Sequence, residues 1–143
     1  MNRHSHARCT AHAVALLVSL GLSASALAQQ AKIKVLVAEV SNAGAAVDPQ
    51  LQQMAQDFKR NGLSFTSFKL VDGAAWDLAP GQSGTIKLPT GTATVTVVKR
   101  EADGKLHIKV VAPAVSTEVV LDRELTLNVG DHAGAKLFLV VRR

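Results

Sequence analysis

The chain predicts an α+β fold: a mainly antiparallel β-sandwich or small barrel of about seven to nine short strands, with one amphipathic helix after the first strand. Three observations carry that expectation. Short runs rich in Val, Ile, Leu and Thr recur from Leu63 to the C-terminus, separated by Gly, Pro and Asp turn signals. The segment Thr92–Val111 reads as two strands joined at Ala102-Asp103-Gly104. One stretch, opened by Asp48-Pro49, repeats its apolar residues at helical spacing.

Residues 1–28 stand outside the expected fold. Met1–Arg8 is a basic leader, and Ala13–Leu22 (AVALLVSLGL) is an apolar run too short to span a bilayer. Ala26-Leu27-Ala28 then supplies an A-x-A cleavage pattern. Together they read as a secretory signal peptide, which predicts an exported protein, periplasmic or extracellular, with a single β-rich domain over residues 29–143. The one cysteine, Cys9, leaves with the signal, so neither a disulfide nor a cysteine metal site is expected. Loss of Arg3 and Arg8 takes the sixteen Lys and Arg to fourteen, against eleven Asp and Glu, a net charge of +3. That mild basicity suits acidic envelope surfaces and falls short of a nucleic-acid footprint. With one Trp, four Phe and no Tyr, platforms for stacking bases or sugars are few. No later apolar run is long enough for a transmembrane segment in the mature chain.

The elements follow in order. Lys32–Val40 (KIKVLVAEV) is a strand apolar on both faces, which predicts a central position with something packed on each side. Ser41–Val47 is a flexible connection. Asp48 can cap a helix and Pro49 suits its first position. Leu51, Met54, Ala55 and Phe58 form one apolar stripe, Lys59 and Arg60 complement the helix dipole, and Asn61-Gly62 stops the run. Leu63–Val71 and Ala74–Ala79 read as strands on either side of an Asp72-Gly73 turn, and Gly84–Pro89 as the next. Thr117–Asp122, Glu124–Val129 and Lys136–Val141 complete the set, with Gly130–Gly134 as a loop.

The hairpin register follows from its side chains. A loop of Asp103-Gly104 alone would set Val98 opposite Lys109, whereas the loop Glu101–Gly104 puts Val95 and Val97 opposite Val110 and Ile108. In that register Lys99 lies opposite Leu106 on the core side. Thr94, Thr96, Val98 and Arg100 share the other face with Val111, Lys109, His107 and Lys105.

No segment carries a catalytic motif, and no cofactor, metal site or catalytic residue is expected. Asp131-His132 could be half of an acid–base pair but lacks a nucleophile context such as G-x-S-x-G. Asp72 and Asp77 flank Trp76, and Trp76 itself is expected in the core. Thr90, Thr92, Thr94 and Thr96 form the one patterned polar row, a surface for a polysaccharide or simply the wet side of a strand. The densest basic cluster is Lys99, Arg100, Lys105, His107 and Lys109, continued by Arg142-Arg143. It suits an anionic ligand, or serves to block strand-to-strand aggregation.

Several short motifs carry a resemblance. Val47-Asp48-Pro49-Gln50-Leu51, Gly62-Leu63 to Phe68, and Leu88-Pro89-Thr90-Gly91 fall in the order signal peptide, strand, helix, strand, turn. The chain resembles a group of small exported proteins of Gram-negative, myxobacteria-like bacteria. The resemblance implies export and a compact β-rich fold, and implies no activity and no functional residue. The sequence therefore predicts a non-catalytic exported protein that binds a protein partner in the cell envelope through an exposed strand edge. The alternative is a binding module for acidic glycans or lipid head groups, using Lys99, Arg100, Lys105, His107 and Lys109.

Overall fold

In the computed structural model, which describes residues 30–143, the first strand sets the layers. The expected signal peptide lies outside the described residues. Strand β1 (Ala31–Ser41) buries Ile33, Val35 and Val37 on one face and Leu36, Ala38 and Val40 on the other. A strand covered on both faces belongs inside a sheet, and β1 lies between two neighbours. A capped turn at Pro49–Leu51 leads into the short helix α1 (Gln52–Arg60). Seven more strands follow: β2 (Ser67–Leu78), β3 (Ser83–Leu88), β4 (Gly91–Arg100), β5 (Leu106–Ala112), β6 (Val115–Leu121), β7 (Glu124–His132) and β8 (Ala135–Arg142).

The strands form two four-stranded antiparallel sheets, ordered β2-β1-β8-β7 and β3-β4-β5-β6. Their inner faces share one apolar cluster, with Ile33, Val35, Leu137 and Leu139 from the first sheet against Val95, Val97, Ile108 and Val110 from the second. This is a β-sandwich-like arrangement, as the alternating strands predict. β2 touches β3 at one corner and β6 touches β7 at the other. Around the molecule every strand therefore neighbours its partners in sequence, and β8 closes the ring by pairing with β1.

The second cluster covers the outer face of the first sheet. Leu51, Met54 and Phe58 pack over Leu36, Ala38, Val40, Phe68 and Val140. The ring of Phe58 meets Phe68 and Phe138 edge-on at 5.6 and 5.0 Å. Local bonds fix both ends of the helical segment. Asp48 Oδ1 accepts from Gln50 N at 2.9 Å. Leu63 N donates to Phe58 O at 2.9 Å around Gly62, whose φ is +76°.

Three expectations about strands need correction. Leu63–Val71 and Ala74–Ala79 are not separate strands. Leu63–Thr66 stands off the sheet, and Ser67–Leu78 is continuous through Asp72-Gly73, with Val71 as an extra residue in a bulge. Pairing with eleven residues of β1 overrides the turn tendency of Asp-Gly. Next, Gly130–Gly134 is not a loop: β7 runs to His132 and turns on Ala133-Gly134, both with positive φ.

The hairpin is the third correction. Thr94–Val97 pair with Val111–Ile108 as the side chains predict, but Val98 is then an extra residue. Glu101 N donates to Lys105 O at 2.8 Å and Gly104 N to Glu101 O at 3.0 Å, so the loop is Ala102-Asp103-Gly104. The bulge moves Lys99 from the core side, opposite Leu106, to the outer side, opposite His107. Leu106 is fully buried and Lys99 is exposed. Keeping a lysine out of the core favours the bulged register.

Trp76 is half-buried rather than enclosed, and packs on the inner cluster at the β2/β3 corner. Its indole lies against Gly84 so closely that an added Cβ would fall 2.2 Å from the ring.

Candidate functional site

Of the four sheet faces, two pack on each other and a third lies under α1. The outer face of the second sheet is the one left open among the described residues. β3 contributes Ser83, Thr85 and Lys87 to it, and β4 contributes Thr92, Thr94, Thr96 and Lys99. From β5 come His107, Lys109 and Val111, and from β6 Ser116, Glu118 and Val120. Their partners inward along the same strands are buried apolar residues, which is why alternation sends these side chains out.

Two cross-strand rows bind their hydroxyls together. Ser83 Oγ lies 2.6 Å from Thr96 Oγ1, and Thr85 Oγ1 lies 3.3 Å from Thr94 Oγ1. The next row across β4, β5 and β6 is Thr96, Lys109 and Glu118, followed by Lys99, His107 and Val120. Three exposed valines, Val98, Val111 and Val120, are spread over this side of the sheet. The face is mixed in character: the paired hydroxyls lie on the β3/β4 half together with Lys87, Lys99 and Val98, and the β5/β6 half carries His107, Lys109, Glu118 and two valines. Of the predicted threonine row, Thr92, Thr94 and Thr96 lie here, whereas Thr90 sits in the β3–β4 turn.

The five predicted ligand-binding residues do not converge. Lys99, His107 and Lys109 share the open face. Lys105 lies at the hairpin turn, where its Nζ is 3.2 Å from Asp103 Oδ2. That bond holds the Lys105 ammonium above its usual range. The Lys105 amide and ammonium together hold the Asp103 carboxyl below its own. Arg100 lies opposite Leu106, on the inner side of the sheet's end, with its own side chain exposed. His107 Nε2 is 2.5 Å from Glu101 Oε1, a carboxylate that the sequence reading placed in the loop without a partner. The terminal arginines also separate. Arg142 pairs with Glu124 at 2.5 Å on the first sheet, while the Arg143 guanidinium donates to Gly104 O at the hairpin tip. Acidic neighbours thus answer Lys105 and His107 within the basic cluster, which adjacency in sequence concealed. Lys87, Lys99 and Lys109 take no part in the ion pairs among the described residues.

The other candidate constellations are pulled apart. Asp131 Oδ1 bonds Lys136 Nζ at 2.8 Å, and His132 Nδ1 lies 3.7 Å from Glu39 Oε2, so each has its own partner. Asp72 pairs with Val37 and Asp77 with Lys32, which sets the two carboxylates on opposite faces of β2. No three His, Cys, Asp or Glu side chains among the described residues are grouped as a metal site. No described helix is long and apolar enough to cross a membrane.

The contribution of β3 was missed from the sequence. The expected strand Gly84–Pro89, which turns at Thr90-Gly91 into the hairpin, begins at Ser83, and its pairing with β4 completes hydroxyl rows that the threonines of β4 alone did not show. Compared with known proteins, the chain matches no family model, no curated protein and no solved structure.

Proposed function

We propose that this is a non-catalytic, exported protein that binds a protein partner of the cell envelope through the open face of the second sheet, rather than through a strand edge. One observation carries the reading: among the described residues this is the sheet face without a covering layer, and it presents hydroxyls, an excess of lysine over carboxylate, and scattered valines. A non-obligate protein interface is about as polar as the rest of a protein surface, so an uncovered face of this mixed kind is compatible with such a partner. The edges fit strand addition less well. β2 and β7 carry bulges at Val71 and Val129, and all four edge strands meet another edge strand at a corner. Export rests on the pattern of residues 1–28.

The test is site-specific photocrosslinking in living cells, with the probe at Thr94 or Val111 on the open face and at Gln53 on α1. A discrete protein adduct from the face and not from the helix is expected. Adducts from the helix alone, or from neither position, would overturn the proposal.

A second reading, an acidic glycan or lipid head group held by Lys99, Arg100, Lys105, His107 and Lys109, draws on Lys99 and Lys109, which take no part in the ion pairs among the described residues. It predicts retention on a polyanionic polysaccharide that is lost as salt rises. Retention unchanged by salt counts against it.

A further inference from the structure

Across the sandwich from the open face, the segment Leu63–Thr66 leaves the sheet and stands beside α1. Its course is fixed at both ends: Leu63 N donates to Phe58 O at 2.9 Å, and Thr66 N donates to Ser41 O at 3.1 Å. Thr66 Oγ1 adds a bond to Gly44 O at 2.6 Å. Between this segment and the helix lies an open groove of about 460 Å³, floored and walled by Val47, Ala55, Leu63, Phe65 and Phe68. Its volume falls within the roughly 300–1,000 Å³ of small-molecule sites. A smaller trough of about 280 Å³ continues from it, sharing Val47 and Phe68. Val47 and Leu63 are 37% and 45% exposed, so two of the larger apolar side chains stay wet at this one place.

The groove has a charge at its rim. Lys59 lines it and takes no part in the ion pairs among the described residues. The carboxylate two residues before it, Asp57, is engaged by Arg60 at 3.0 Å and by Gln53 Nε2 at 3.1 Å. Gln56, also on the lining, offers an amide beside the lysine. The adjoining trough has both Asp48 and Lys69 on its lining, whereas Lys59 is, among the described residues, the one charged residue lining the groove itself.

We propose that this groove binds a single-chain amphiphile with an anionic head. The alkyl tail lies on Leu63, Phe65, Phe68 and Val47, and a carboxylate or comparable head group meets Lys59 and Gln56. An apolar floor sets affinity through tail area, and the lone cation selects the sign of the head. The site is independent of the open face of the second sheet, since the helix layer and that face lie on opposite sides of the molecule.

The test is an NMR titration of the labelled chain with decanoate, decanol and decyltrimethylammonium, each below its micelle threshold. Saturable shifts at the groove residues are expected, with decanoate binding best and the ammonium compound worst. Octanoate should bind roughly ten-fold more weakly than decanoate, the effect of two methylenes. Lys59→Gln should weaken decanoate by about three- to five-fold, the range of an exposed ion pair, and leave decanol unchanged. Leu63→Glu, at an exposed position, should weaken decanoate further. Unsaturable binding, shifts outside the groove, or equal binding of decanoate and decanol with no response to Lys59→Gln would overturn the proposal. Val111→Asp, on the opposite face, should change neither titration, so this result and the photocrosslinking result stand or fall separately.

Discussion

Gly84 and Trp76 form a contact in which a missing side chain is the structural requirement. The indole occupies the space that any Cβ at Gly84 would take. Gly84→Ala is therefore expected to destabilise the fold by about 1–3 kcal/mol through overpacking. Urea unfolding followed by Trp76 fluorescence measures it, and an unchanged midpoint would show that the corner repacks freely. Ala133 is the converse case: a residue with a Cβ held at φ +49° in the β7–β8 turn. Ala133→Asn, which tolerates that conformation, should stabilise by about 0.5–1 kcal/mol, read as a higher Tm. At the hairpin tip the depressed Asp103 carboxyl makes a pH-dependent contribution. It is present above the ordinary carboxylate value of 3.8 and is lost as pH falls through the lower folded-state value. An NMR titration of the Asp103 carboxyl should show a midpoint below 3.8 that moves back up in Lys105→Gln.

At the scale of elements, α1 is too short to be stable alone and is held by what it covers. Phe58 sits at the centre, between Phe68 and Phe138 and beside Phe65. Phe58→Ala should cost about 3–5 kcal/mol, the range for a large buried aromatic. Hydrogen exchange should show α1 opening before the sheets. Equal loss of protection everywhere would mean the helix is not a separable layer. Other elements show why strand identity was easier to read than strand detail. The alternation of Val95, Val97, Ile108 and Val110 fixed faces and register wherever both strands were regular. The Val98 bulge was illegible because nothing local marks it. It answers the burial of Leu106 against Lys99, a contact between strands.

For the whole molecule, the unequal covering of the two sheets is the main feature. Substitutions on the open face should be close to neutral for folding: Val111→Thr and Val120→Thr, at 42% and 50% exposure, should each change stability by less than about 0.5 kcal/mol. Larger losses in thermal unfolding would show that the face is structural rather than free for a partner. The closed order of strands explains how that face is presented. Each strand finds its neighbour in sequence, and the chain returns β8 to β1 without a long crossover. Among the described residues each edge strand thereby lies beside an edge strand of the other sheet.

The sequence by itself determined the antiparallel β class, the two-faced burial of β1 and the outward course of Thr92, Thr94 and Thr96. These follow from side-chain period and turn residues, which act over a few positions. Tertiary structure alone decided that Leu63–Thr66 would leave the sheet, that Ser83 and Thr85 would meet Thr96 and Thr94, and that Glu101 and Asp103 would answer His107 and Lys105. Those outcomes depend on which strands pair and which layers cover them, a choice made by burial summed over the whole chain rather than by any residue's own preference.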